Sequence, residues 1–264
     1  MTRAKKARQR RQQAGPPPPV RSTGGRKANP KVIAGVAALI ALAVIPAAIV
    51  FAVTGNDKSS SSTTPKNTTT LPGAADVTRL FNGIPQHGNV LGSPSAPATL
   101  VEYIDLQCPV CREFETTVMP PVISRYVRTG KVKVVARPIA FLGPDSEVAR
   151  KGAVAALLRN RFFDFAQLLY ANQGTENSGW VTDQLVADAY ASIPGINVDS
   201  AMAARDSAAV ARDERQFDAQ SHADQVIGTP TVLVGKNGAK LAEVAPGGSP
   251  TLAQLKAAIE NAQS

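Results

Sequence analysis

The chain has 264 residues, with 29 Lys or Arg against 20 Asp or Glu, for a formal charge of +9. Ten of the basic residues and no acidic one fall within residues 1–31; without those ten, 19 basic residues face 20 acidic ones. The charge therefore belongs to the tail, and the remainder lacks the basic face that would read nucleic acid.

Residues 1–31 read as a basic, disordered cytoplasmic tail, in which the run Pro16 to Pro19 is a low-complexity stretch rather than folded structure. Residues 32–53, VIAGVAALIALAVIPAAIVFAV, carry no charge, and 22 apolar residues suffice to cross a hydrocarbon layer as a helix. A cleaved signal peptide is the rival reading, but its apolar core spans about 7 to 15 residues and a small-residue cleavage site follows it. With the basic residues all ahead of the span, the N-terminus is expected in the cytoplasm and everything after Val53 outside it. Residues 54–76, polar and rich in Ser and Thr, are expected to form a flexible linker. Residues 77–264 have the size of one domain.

Within that domain, Ala98 to Asp105 has the apolar alternation of a buried strand. Cys108-Pro109-Val110-Cys111 follows directly. Apolar residues at intervals of four, Val110, Phe114, Val118 and Val122, predict a helix to about Thr129, bent by Pro120 and Pro121. A second strand over Lys131 to Ile139 completes a strand, helix, strand unit, which makes a parallel pair through a right-handed crossover. Helical patterns then fill an insertion at about 144–222, with a cap at Thr182 and an apolar core from Phe162, Phe163, Phe165 and Trp180. Strands are expected at Thr231 to Val234 and Ala239 to Val244, turning at Asn237-Gly238. A last helix is expected to open at Ser249-Pro250 and to bury Leu252, Leu255 and Ile259. The fold class is α/β with a helical insertion, preceded by one transmembrane helix.

Chemistry concentrates in the only two cysteines, which stand two residues apart. A disulfide closing so small a ring adds little stability on the chain-entropy model. At a helix start the spacing has another use: unpaired N–H groups and the macrodipole favour an anion on Cys108, while Cys111, one turn in, is shielded. Pro109 suits the first turn, where its missing N–H costs nothing. A zinc site needs four ligands, and only His87 and His222 are on hand to join the pair, so no metal and no cofactor is expected. Both histidines read as surface or structural.

In the order strand, CPVC, helical insertion and VIGTPTVLV, the domain resembles the DsbA-like branch of the thioredoxin superfamily over about residues 83–261, specifically its membrane-anchored, actinobacterial-looking members. The resemblance implies a thioredoxin-like fold in which Pro230 is cis and faces the disulfide, and Thr229 offers backbone groups to a substrate beside Pro109 and Val110. It implies that Glu102, six residues before Cys108, is a buried acid passing a proton to or from Cys111. It also implies an oxidase that gives its disulfide to reduced exported polypeptides and is reoxidised by a quinone-linked membrane partner of the DsbB or VKOR type. A reductase or isomerase, and a tethered binding protein without turnover, are the alternatives. Two departures bear on the redox potential: Val110 stands where such enzymes often have His, and the position of a basic partner for the buried acid falls on Ala136, with Arg137 on the opposite face.

Overall fold

The computed structural model describes residues 64–263. The expected tail, the expected span at 32–53 and the start of the linker lie outside the described residues; among those described, no helix is long and apolar enough to cross a membrane. The later part of the linker is not free. Gln184 Nε2 donates to the Asn67 carbonyl, the Thr69 N–H to Asp188 Oδ1 and the Leu71 N–H to Ser192 Oγ, each at 2.8 Å. Backbone groups satisfied by another element in this way mark a docked segment, so the linker expected through residue 76 ends by Asn67. Helix α1 (Ala74–Phe81) follows and buries Ala74, Val77 and Phe81, a stripe at helical spacing.

Six strands form one mixed sheet: β1 (Gln86–His87), β2 (Val90–Leu91), β3 (Ala98–Ile104), β4 (Val132–Pro138), β5 (Thr231–Lys236) and β6 (Ala242–Glu243), in the order β1-β2-β4-β3-β5-β6. The two short strands β1 and β2 have no periodicity of their own and were not expected. The central pair β3 and β4 is parallel, as the strand, helix, strand unit predicts, while β5 runs antiparallel to β3. Every residue of β3 is buried, but its faces differ. Leu100 and Ile104 join the main core with Val132 and Val134 of β4, whereas Val101 and Tyr103 join Ile139 in a smaller cluster on the other side.

Between β3 and β4 runs a helical stretch made of α2 (Pro109–Glu113), a π turn (Phe114–Val118), α3 (Met119–Val122) and a second π turn (Ile123–Val127). Proline lacks an N–H and its ring collides with the carbonyl four residues back. The stretch passes Pro120 and Pro121 by widening the turn before them, so that the Met119 N–H reaches the Phe114 carbonyl five residues back. Thr116 and Thr117 hydroxyls meanwhile donate to the Arg112 and Glu113 carbonyls at 2.7 and 2.6 Å. The helix ends at Val127, two residues short of the expected end.

The insertion holds α4 (Pro144–Leu157), α5 (Phe162–Ala171), α6 (Asp183–Ala191), α7 (Val198–Ala204) and α8 (Ala208–Ala223). Thr182 caps α6 as expected, its hydroxyl accepting the Leu185 N–H at 3.1 Å. Phe162, Phe163 and Phe165 are core. At the far end of the sheet, the Ala239 N–H closes on the Lys236 carbonyl at 3.0 Å, but pairing resumes only at Ala242, so β6 is shorter than the Ala239 to Val244 strand expected. The Asn237 side chain is engaged elsewhere, with Pro94, Thr99 and Lys133. The last helix, α9 (Leu252–Gln263), opens two residues later than expected: the cap is Thr251, not Ser249. Thr251 and Gln254 form a reciprocal capping box, with the Gln254 N–H on Thr251 Oγ1 at 3.3 Å and the Thr251 N–H on Gln254 Oε1 at 2.9 Å. Leu255 and Ile259 are fully buried and Leu252 packs at the edge of the core.

Candidate active site

Cys108 is the N-cap of α2 and Pro109 its first residue. The Cys108 sulfur accepts the Cys111 N–H at 3.4 Å and lies 3.6 Å from the Thr229 carbonyl. Both cysteines are free thiols. Cys108 retains 6% of its surface and Cys111 none, so an outside sulfur can reach only Cys108. The bond between Thr229 and Pro230 is cis, and Pro230 is buried beside the pair.

The two thiols are pulled in opposite directions. Hydrogen bonding with Cys111, the Thr229 side chain and the Cys111 and Val110 N–H groups outweigh burial and draw Cys108 down from 9.0 to about 6. No charged group is needed, which answers the absence of His at Val110. Burial pushes Cys111 well up, reinforced by its hydrogen bond to Cys108 and by the Cys108 charge. At neutral pH the exposed sulfur is the thiolate and the buried one keeps its proton.

Glu102 is 1% exposed and projects from β3 on the face of Leu100 and Ile104. Its cross-strand neighbour is Ala136, so no base stands opposite; Arg137 pairs with Tyr103 instead. What faces Glu102 is a second acid, Glu115, four residues after Cys111. Burial first, then the Glu115 charge and a hydrogen bond to it, hold the Glu102 carboxyl well above the carboxylate range. Burial likewise raises Glu115, to about 7, held from going higher by hydrogen bonds from Glu102 and Gln167. Gln167 Nε2 donates to Glu115 Oε2 at 2.8 Å. Two buried carboxyls with no cation beside them share one proton at neutrality. Tyr170 completes the layer, its hydroxyl donating to the Asp105 carbonyl at 3.1 Å.

Sequence reasoning found Glu102 but missed Glu115 and Gln167. Glu115 was hidden because a polar residue in an amphipathic helix normally faces solvent, although it stands four residues after Cys111, on the buried side of the helix. Asp105, at the end of the first central strand, is fully buried. Its carboxylate accepts the N–H groups of Gln107, Phe141 and Leu142 and the Ser146 hydroxyl, while its carbonyl accepts the Cys108 N–H at 3.1 Å. The insertion braces the same loop: Gln107 binds Ser146 and Asn177, and Gln173 Nε2 donates to the Leu106 and Cys108 carbonyls.

Around the opening the surface is apolar. Val110 is 51% exposed, Phe141 53% and Ile227 83%. The Phe141 N–H is held by Asp105 Oδ2 at 2.7 Å, and Ile227 lies two residues before Thr229. Pro109 is exposed beside Val110. The N–H groups of Ile227, Gly228 and Thr229 make no hydrogen bond within the described residues, which leaves donors for an extended chain. His87 and His222 are exposed and take no part in the site. Among the described residues no cluster of His, Cys, Asp and Glu is suited to hold a metal.

Comparison with known proteins agrees with this geometry. Residues 86–261 match the thioredoxin family. A probable disulfide bond formation protein D from Bacillus anthracis is 27% identical over 150 residues, covering 56% of this chain and 69% of that one. Disulfide bond formation protein D from Bacillus subtilis is 27% identical over 147 residues, 55% of this chain and 66% of the relative. The crystal structure of oxidised BdbD from Bacillus subtilis superposes with a TM-score of 0.59 at 23% identity, covering 69% of this chain and 99% of that one, a likeness of fold. The chain belongs to the thioredoxin family and is a thiol:disulfide oxidoreductase.

Proposed function

We propose that the Cys108–Cys111 pair donates its disulfide to reduced polypeptides outside the cytoplasm. The carrying observation is an accessible sulfur at a helix start, titrating near 6, over a buried partner and beside unpaired backbone donors at Ile227 to Thr229. A client thiolate attacks Cys108 Sγ of the oxidised pair; the bond to Cys111 breaks, and Cys111 leaves with the electron pair and takes a proton. Glu102 and Glu115, buried in the same core and holding one proton between them, are the donor. A second client thiolate then attacks the client's own sulfur in the mixed disulfide and expels Cys108 as a thiolate. The client loses two electrons and the pair gains them.

Low pKa makes Cys108 the better leaving group in that last step, which favours release of an oxidised client over retention. Thr229 and the exposed apolar rim suit an unfolded segment lying extended beside the motif. A quinone-linked membrane partner of the DsbB or VKOR type, which would reoxidise the pair, and an anchor at residues 32–53 with the domain outside belong to the same proposal. They are supported by the basic residues ahead of the uncharged run. To test the proposal, the oxidised protein is mixed with a reduced, unfolded substrate and disulfides in the substrate are counted. Stoichiometric transfer, abolished by Cys108→Ser, is expected; transfer that survives the substitution removes the proposal. An equilibrium potential near −270 mV instead of toward −120 mV would assign the pair to reduction.

A further inference from the structure

On the sheet face away from Glu102, Tyr103 is fully buried in a charged setting. Its hydroxyl donates to Asp224 Oδ2 at 2.6 Å, Arg137 Nη1 reaches both the Tyr103 hydroxyl and, at 2.8 Å, the same Asp224 oxygen, and the guanidinium lies 5.2 Å from the ring centroid. Asp224 is the residue at which α8 ends. The main chain of Tyr103, meanwhile, pairs with Thr231 of β5, the residue immediately after Pro230.

One residue therefore holds both ends of the segment 225–230, by its side chain at Asp224 and by its backbone at Thr231. Inside that span Val226 packs with Val101, Tyr103 and Ile139, and its N–H bonds to the Ser221 carbonyl at 2.9 Å. Ile227, Gly228 and Thr229 have no N–H bond of their own to fix them. Their position over Cys108 depends on where the segment is pinned. The charged groups that face Tyr103 are Arg137 and Asp224; the groups acting on Cys108 are Cys111, Thr229 and the Val110 N–H, none of them formally charged.

We propose that Tyr103, with Arg137 and Asp224, is a clamp that sets the register of Ile227 to Thr229 against Cys108, making Tyr103 a positioning residue for exchange with extended clients. The proposal rests on Cys108 being the exchanging sulfur. Tyr103→Phe removes the hydroxyl and keeps the ring. Three quantities are read on it: exchange with an extended cysteine peptide, exchange with oxidised glutathione, and the pH profile of Cys108 alkylation by iodoacetamide.

The peptide rate is expected to fall about tenfold, as sub-ångström misplacement of a binding segment does, while the glutathione rate falls much less. The alkylation midpoint is expected to rise, because the Thr229 contact is loosened. A variant that melts earlier but keeps the wild-type peptide-to-glutathione ratio and pH profile overturns the clamp, since a merely structural role predicts that result. If Tyr103→Phe does not fold, Asp224→Asn, at a half-exposed position, is read by the same ratio and profile. Wild-type protein inert toward both partners would remove the proposed function itself, and the clamp with it.

Discussion

Replacing Cys108 by Ser removes a stabilising charge from the reduced protein alone. A thiol titrating near 6 in the folded state and at 9.0 when unfolded contributes in full above 9 and loses that contribution as the pH falls through 6. Between pH 5 and 7.5 the linkage relation gives about 2 kcal/mol, and solvent at the partly open sulfur reduces this to about 1 kcal/mol. The disulfide form has no thiolate to stabilise, so reduction strengthens the fold. With the same allowance for solvent, the preference at pH 7 is about threefold, which makes the pair about 15 mV more oxidising than one with an ordinary first thiol. The assay is urea unfolding of reduced wild type and Cys108→Ser at pH 5 and pH 7.5. Subtracting one protein from the other cancels the Glu102 and Glu115 contributions. The wild-type advantage is expected to grow by about 1 kcal/mol across that interval; an advantage equal at both pH values would refute the argument.

Thr229→Val keeps the shape of the side chain but deletes its hydroxyl, and is expected to raise the Cys108 midpoint by about half a unit, read from the ultraviolet absorbance of the thiolate. Glu115, raised by burial to about 7, stabilises the fold fully below its ordinary 4.5 and loses that contribution as the pH rises through 7. Glu115→Gln should therefore flatten the fall in stability of the oxidised protein between pH 5 and 7, by up to about 1.4 kcal/mol per pH unit, and leave the slope above pH 7.5 unchanged, as followed by urea titration at pH 5 to 8. Gly152→Ala would place a Cβ 2.7 Å from Phe165 Cζ in the contact between α4 and α5. A loss of about 1–3 kcal/mol is expected from such overpacking, and thermal melting would detect it.

Elements with strong local signals were legible before any coordinates: β3, β4, the Thr182 cap and the apolar stripe of α9 each follow from periodicity or capping chemistry. Spacing and order along the chain also singled out Cys108, Cys111, Glu102, Thr229 and Pro230; the structure puts the Thr229 carbonyl 3.6 Å from the Cys108 sulfur, a cis bond before Pro230, and Glu102 in the core. What escaped depends on contacts made across long separations. Glu115 meets Glu102 only across the core, and Gln167 reaches it from a helix 52 residues on. The cap of α9 was misplaced because Ser249-Pro250 and Thr251 are equally good starts by residue type, and only the reply from Gln254 decides between them. β1 and β2, two residues each, are too short to show a period at all.

The docking of residues 67–71 against α6 sets a boundary for limited proteolysis. A cut ahead of Asn67 leaves the hydrogen bonds of Asn67, Thr69 and Leu71 in place and is expected to leave the folded unit active. A cut between Leu71 and Ala74 strips Asp188 and Ser192 of their backbone partners and frees the end of α1, whose Phe81 packs against Phe163. Cuts that spare the folded unit and cuts that damage it are thus separated by a handful of residues.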